Sequence, residues 1–157
     1  MAKYITPTLT ITSNAYNAAS NPGPVSSPLN ISVTDLLDVT EVQSKIVDAS
    51  TTHALLFDAS TISSTVTAGT DGSFVFVRNL IDSTDTKATQ ANIYIGYGTS
   101  TGGLEDGGDN ETKRLMTLKP GEFSFFSWDL ELDLAVDADA AVTGALEAVM
   151  FVRTGTA

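Results

Sequence analysis

The chain has 157 residues, 19 of them acidic and eight basic, for a formal charge of −11. That length suits one domain able to bury roughly two-thirds of its unfolded surface, and the absence of cysteine excludes disulfides and thiolate metal sites. The acidity argues against nucleic acid and anionic membranes as partners, because phosphate contacts need clustered Lys and Arg; its plain reading is solubility through like-charge repulsion.

The first residues, MAKYITPTLTITSN, contain no basic stretch followed by an apolar run. No secretory signal is expected, and synthesis in a cytoplasm is. No apolar run reaches the roughly 20 residues a membrane-spanning helix needs. Leu9 and Ile11 share one face of a short strand pattern. Residues 13–28, SNAYNAASNPGPVSSP, are small, polar and proline-punctuated, and can bury little. They read as a loose linker or as an extended arm that orders against a neighbouring subunit. The expected division is an N-terminal arm over 1–28 and a single β-sandwich domain over 29–157.

Leu29, Ile31 and Val33 alternate as a strand. Thr34 followed by acids looks like a helix N-terminus, so at most one short helix is expected, near 34–39. His53, Leu55 and Phe57 fall on one side of the next strand pattern. Phe74 and Phe76 alternate with Val75 and Val77, and Ile93, Ile95 and Tyr97 fall together. Leu130, Leu132, Leu134 and Val136 alternate with acids. After Asp137 a loop is expected to about Gly144, then a last strand over 145–153. Turn signals separate these runs: Asn21-Pro22-Gly23-Pro24, Gly69-Thr70-Asp71-Gly72, Gly102-Gly103 and Lys119-Pro120-Gly121-Glu122. Pro120 at the second position and Gly121 at the third suit a type II turn. Short alternating strands at this spacing predict an all-β fold, an antiparallel sandwich of jelly-roll type.

No catalytic signature stands out. His53 is the only histidine, and although Asp58 and Ser60 are near in sequence, no G-x-S-x-G elbow is present. Asp129, Glu131 and Asp133 recur at every second residue, the pattern of a solvated face. Gly96 and Gly98 lack the following helix and lysine of a phosphate cradle. The loop TSTGGLEDGGDNETK offers Glu105, Asp106, Asp109 and Glu111 as calcium candidates, without matching the twelve-residue calcium-loop pattern; a solvated hairpin tip is its plainer reading. Tyr94, Tyr97 and Trp128 could stack on sugars, or be buried in a core or interface. No catalytic residue and no cofactor is assigned.

The segment LKPGEFSFFSWDL poses a different question. On a regular strand Phe123 and Phe125 point one way, and Phe126 and Trp128 the other. Two apolar surroundings are then required, unless a bulge brings the rings to one side. Without a bulge, the second surrounding is most simply another subunit. Phe123, Phe125, Phe126 and Trp128 are therefore the candidate interface residues, delivered by the turn at Pro120 and Gly121.

The succession NIYIGYG, a long polar loop, RLMTLKPGEFSFFSWDL and ALEAVMFVRTG resembles small β-sandwich proteins of tailed-bacteriophage virions, over roughly residues 72–157. The shared motif is an L-x-P-G-E turn before a strand, here Leu118, Pro120, Gly121 and Glu122. The resemblance implies a non-enzymatic capsid decoration or cement protein on the outer virion surface. Its partners would be copies of itself, a homotrimer favoured, and the major capsid protein. The arm would reach along the capsid, with Tyr4, Tyr16, Pro22 and Pro24 as contact candidates. The alternative is a glycan-binding or adhesion module of a fibre or tail.

Overall fold

The period-two patterns become strands because β-branched and aromatic side chains fit a pleated, half-buried surface. The computed structural model describes residues 3–6, 8–11, 29–32, 37–39, 41–62, 72–81, 90–97 and 113–153. The chain divides into two units, Met1–Val39 and Thr40–Ala157.

In the first unit, β1 (Lys3–Ile5) pairs antiparallel with β4 (Leu37–Val39), and β2 (Thr8–Ile11) pairs with β3 (Leu29–Ser32). The residues 37–39, read as the end of a short helix, thus form a strand. Cross-strand pairing to Lys3–Ile5, which lies far away in sequence, overrides the local N-cap signal.

The second unit is an antiparallel β-sandwich. Its strands are β5 (Glu41–Ala49), β6 (Ala54–Phe57), β7 (Ser73–Asn79), β8 (Ile93–Tyr97), β9 (Lys113–Leu118), β10 (Phe123–Trp128), β11 (Leu134–Ala138) and β12 (Val142–Val152). One sheet has the order β10-β7-β12-β5 and the other β6-β11-β8-β9. Most successive strands alternate between the two sheets, and this order is that of an eight-stranded jelly roll. Neither sheet closes into a barrel, so four strands remain as edges: β10, β5, β6 and β9.

The core lies between the sheets. Val75, Val77, Trp128, Leu146, Ala148, Met150 and Val152 come from one sheet. Leu56, Phe57, Ile93, Ile95, Leu118, Leu134 and Val136 come from the other. Phe57 meets Trp128 across the gap, with ring centroids 6.3 Å apart. Asn79 ties the layers together: its Nδ2 donates to the carbonyls of Ala91 (2.9 Å) and Leu118 (3.0 Å), and its Oδ1 accepts from Ile81 N–H (3.1 Å). A buried amide with those bonds made stabilises; left unmade they would each cost about 1–3 kcal/mol.

Local geometry departs from simple alternation at three places. In β6 both Leu56 and Phe57 are buried and Leu55 is exposed, because the pairing with β11 shifts register between Leu134 and Ala135. His53, Leu55 and Phe57 therefore do not share a face. Leu130 and Leu132 are not strand residues: they lie in the turn before β11, Leu130 buried at φ 66° and Leu132 exposed. Two bonds fix that turn: Trp128 Nε1–H donates to Leu132 O (2.9 Å) and Glu131 N–H to Asp129 Oδ1 (3.1 Å). The last strand starts at Val142 rather than 145, and Gly144 at φ +62° carries the irregularity within it. Strand β5, by contrast, alternates along its length and is the nine-residue edge strand of the first sheet.

Candidate interaction surface

The Lys119–Glu122 turn sets up the surface. Gly121 has φ +79°, and Glu122 N–H donates to Lys119 O at 2.9 Å, which is the type II geometry expected of Pro-Gly. Glu122 Oε2 accepts in return from Lys119 N–H (2.8 Å). The chain thereby passes from β9 in one sheet to β10 in the other.

Strand β10 is regular. All six residues pair with β7 without a register shift, from Phe123 opposite Arg78 to Trp128 opposite Ser73. There is no bulge, so the rings divide. Phe126 and Trp128 turn inward, and Trp128 is only 1% exposed. Phe123 and Phe125 turn outward, 54% and 39% exposed. The interface candidates thus fall into two sets, and only Phe123 and Phe125 are available to a partner.

The outward rings are not alone. Phe125 lies opposite Phe76, Phe76 opposite Val149, and Val149 opposite Ser44. One step along, Ser127, Phe74, Phe151 and Val42 form a second row; one step the other way, Phe123, Arg78, Glu147 and Ile46 form a third. Phe74 stacks on Phe125 with centroids 5.2 Å apart and planes 10° from parallel, and Phe76 meets Phe123 at 6.2 Å. Arg153 places its guanidinium 5.1 Å from the Phe74 centroid. Val42 and Ile46 at the far edge are 51% and 68% exposed. The result is a sheet face paved with aromatic and branched side chains, half-buried along Phe74, Phe76, Val149 and Phe151 and exposed along both edge strands.

Sequence alternation places Phe74 and Phe76 on one face but does not say which face. It misses Val42, Ile46, Val149 and Phe151 as members of the surface. Their membership depends on the β12–β5 and β12–β7 pairings, which no local signal encodes.

Other candidates disperse. Asp58 caps a short 3-10 turn: its Oδ1 accepts from Ser60 N–H (2.8 Å) and Ser60 Oγ–H (2.6 Å), bonds that hold its carboxyl below the usual range. The Ser60 hydroxyl thus serves that cap. Asp129, Glu131 and Asp133 sit in the turn before β11, where Asp133 Oδ1 accepts from Ala59 N–H (2.9 Å). Trp128 is sealed in the core and Tyr94 is buried beneath Arg114, whose guanidinium lies 4.1 Å from its ring centroid. Tyr97 is half-buried against the core; burial first, and the charge of Asp129 second, push its phenol pKa up.

An open cleft of about 530 Å³ flanks the turn, lined by Met116, Thr117, Leu118, Glu122, Phe123 and Ser124 among others. Its one carboxylate, Glu122, is engaged by Lys119 N–H. Among the described residues no three His, Asp or Glu converge as a metal site, and no helix is long and apolar enough to cross a membrane. Glu105, Asp106, Asp109 and Glu111 lie outside the described residues, as do Tyr16, Pro22 and Pro24. Tyr4 lies in β1 opposite Asp38. Comparison with family models, curated proteins and solved structures finds no match to this chain.

Proposed function

We propose that the protein is a non-enzymatic structural component of a phage virion, seated on the outer capsid surface and stabilising it through oligomeric contacts with the major capsid protein. The observation that carries this reading is the aromatic outer face of the β10-β7-β12-β5 sheet, which offers contact area and no reactive group. The virion context comes from the resemblance around Leu118, Pro120, Gly121 and Glu122. Jelly rolls recur in capsid and lectin domains, which agrees with that context but does not by itself assign a function. A glycan-binding role would lean on exposed Tyr97 or Trp128, and the burial of Trp128 weighs against it.

The mechanism needs only mass action. A protein that binds the assembled shell and not its free subunits stabilises the shell by RT ln(1 + [L]/Kd), about 2.7 kcal/mol at a hundredfold excess over Kd. The test is co-sedimentation with tailed-phage capsids stripped of accessory proteins, followed by heating. The expected result is binding in a fixed ratio to capsid subunits and a higher rupture temperature. A protein that sediments alone and leaves rupture unchanged overturns the reading.

A further inference from the structure

We infer that the aromatic sheet face takes a second copy of this chain, packed face to face about a two-fold axis that runs along the strands between β7 and β12. This rests on the reading of that face as an assembly surface and names its occupant.

Charge argues for a copy of the same chain. The molecule carries −11 overall, so two copies repel through most of their surface. The sheet face is the exception. Its charged side chains are Arg78 and Arg153 against Glu147 and Asp48, two of each sign. A neutral apolar patch is where two such acidic molecules can meet. Four strands about 4.8 Å apart and about 20 Å long give a face on the order of 400 Å² per copy, about 800 Å² in a pair, the size of a weak and concentration-dependent contact.

Register argues for the two-fold. Arg78 on β7 lies directly opposite Glu147 on β12 in the central pair of strands. Rotation about an axis along the strands sets each β7 over the partner's β12 and preserves the rows. Arg78 then faces the partner's Glu147 and Glu147 faces the partner's Arg78. Phe76 falls on the partner's Val149, Phe74 on the partner's Phe151, and Phe123 on the partner's Ile46. In an isologous contact each pairing occurs twice, and aligned sheet packing at about 30° keeps the central rows in step. An axis across the strands would instead set Glu147 on the partner's Phe151, placing a carboxylate against a ring. The self-complementary row therefore selects pairs, in place of the trimer that the resemblance implies.

The experiment is sedimentation of the full chain across the micromolar range, with R78E and E147R each made singly. Arg78 is exposed and Glu147 half-buried, and circular dichroism checks that each variant keeps the fold. The wild type is expected at twice the chain mass. Each single variant opposes like charges at both repeats and is expected to weaken pairing about tenfold. Mixing the two variants restores both opposite-charge contacts, so a mixed pair forms at wild-type strength. A wild type that stays monomeric, a three-copy species, variants that pair unimpaired, or a mixture that fails to pair each overturns the inference. Capsid binding by a monomeric wild type would overturn it too, and leave the virion reading standing. A wild-type pair that ignores capsids would do the reverse.

Discussion

The two sheets of the sandwich differ most at the centres of their outer faces, half-buried aromatic and branched side chains on one and fully buried ones on the other. On the β10-β7-β12-β5 sheet, Phe123, Phe125, Val42 and Ile46 remain in water. On the β6-β11-β8-β9 sheet, the central Tyr94, Ala135 and Asp137 are all out of it, and exposed Leu55 and Leu115 are confined to the two edge strands. Part of the cause is side-chain size. Ala135 and Gly96 lie opposite one another on β11 and β8 and are too small to stand clear of the sheet. Arg114 then lies over Tyr94 as a lid. A face closed by the chain's own residues serves the fold. A face left bare with large rings exposed lacks that internal use.

Substitutions can sharpen this contrast, beginning with the core that separates the faces. Trp128→Ala removes the largest fully buried side chain and orphans the Leu132 carbonyl. The loss should be about 3–5 kcal/mol, read as a lower urea midpoint. On the closed face, Ala135→Leu inserts methylenes where Ala135 has no exposure. It should cost about 1–3 kcal/mol. A neutral outcome there would show the second face to be open as well, and the contrast would collapse.

Legibility follows the same division. Strand β10 and its type II turn were readable because both depend on neighbours in sequence: Pro120 and Gly121 for the turn, strict alternation for the rings. Alternation divides the rings into two pairs, but which pair faces outward follows only from the core packed against Phe126 and Trp128. Strand β5 was hidden. Its inward positions include Glu41, Gln43 and Lys45, an arrangement possible because an edge strand admits water at its rim. The helix signal that starts at Thr34 extends over Leu37–Val39, which form a strand. The bulge at β6 was hidden because β11, distant in sequence, imposes it, and left-handed Leu130 because a branched non-glycine residue gives no signal for that conformation. The aromatic face as a whole needed four strands brought together from across the chain, so sequence supplied its pieces without its assembly.

On the open face, Phe125→Ser should behave quite differently from Trp128→Ala, although the two residues share a strand. Phe125 is already partly in water, and its fold contribution is mainly the stack on Phe74. The cost to the isolated chain should be about 1 kcal/mol. The larger change should be in association: unfolding of the wild type should depend on protein concentration and that of the variant should not. If Phe125→Ser unfolds the chain as severely as Trp128→Ala, the ring is part of the core in solution and no interface remains to explain.

The smallest effect concerns the rim where the two kinds of surface meet. Lys45 points inward from edge strand β5, its ammonium 4.5 Å from the Phe57 centroid. Burial lowers its pKa from the ordinary 10.5. Between the lowered folded value and 10.5 the unfolded chain holds more protons, so this group's contribution to stability rises with pH through that window. Below the window the charged Lys45 carries a desolvation cost, trimmed by the solvent it still touches and by the ring beneath it. Lys45→Met keeps the packed stem and removes the charge. Stability at pH 7 should rise by a few tenths of a kcal/mol, and the gain should fade above about pH 11, where the wild type is also neutral. A gain that persists unchanged at high pH would assign the effect to packing. The same substitution removes an inward charge that guards an open edge. Lys45→Met should therefore add association through β5, and unlike pairing across the aromatic face, that association should be indifferent to R78E and E147R.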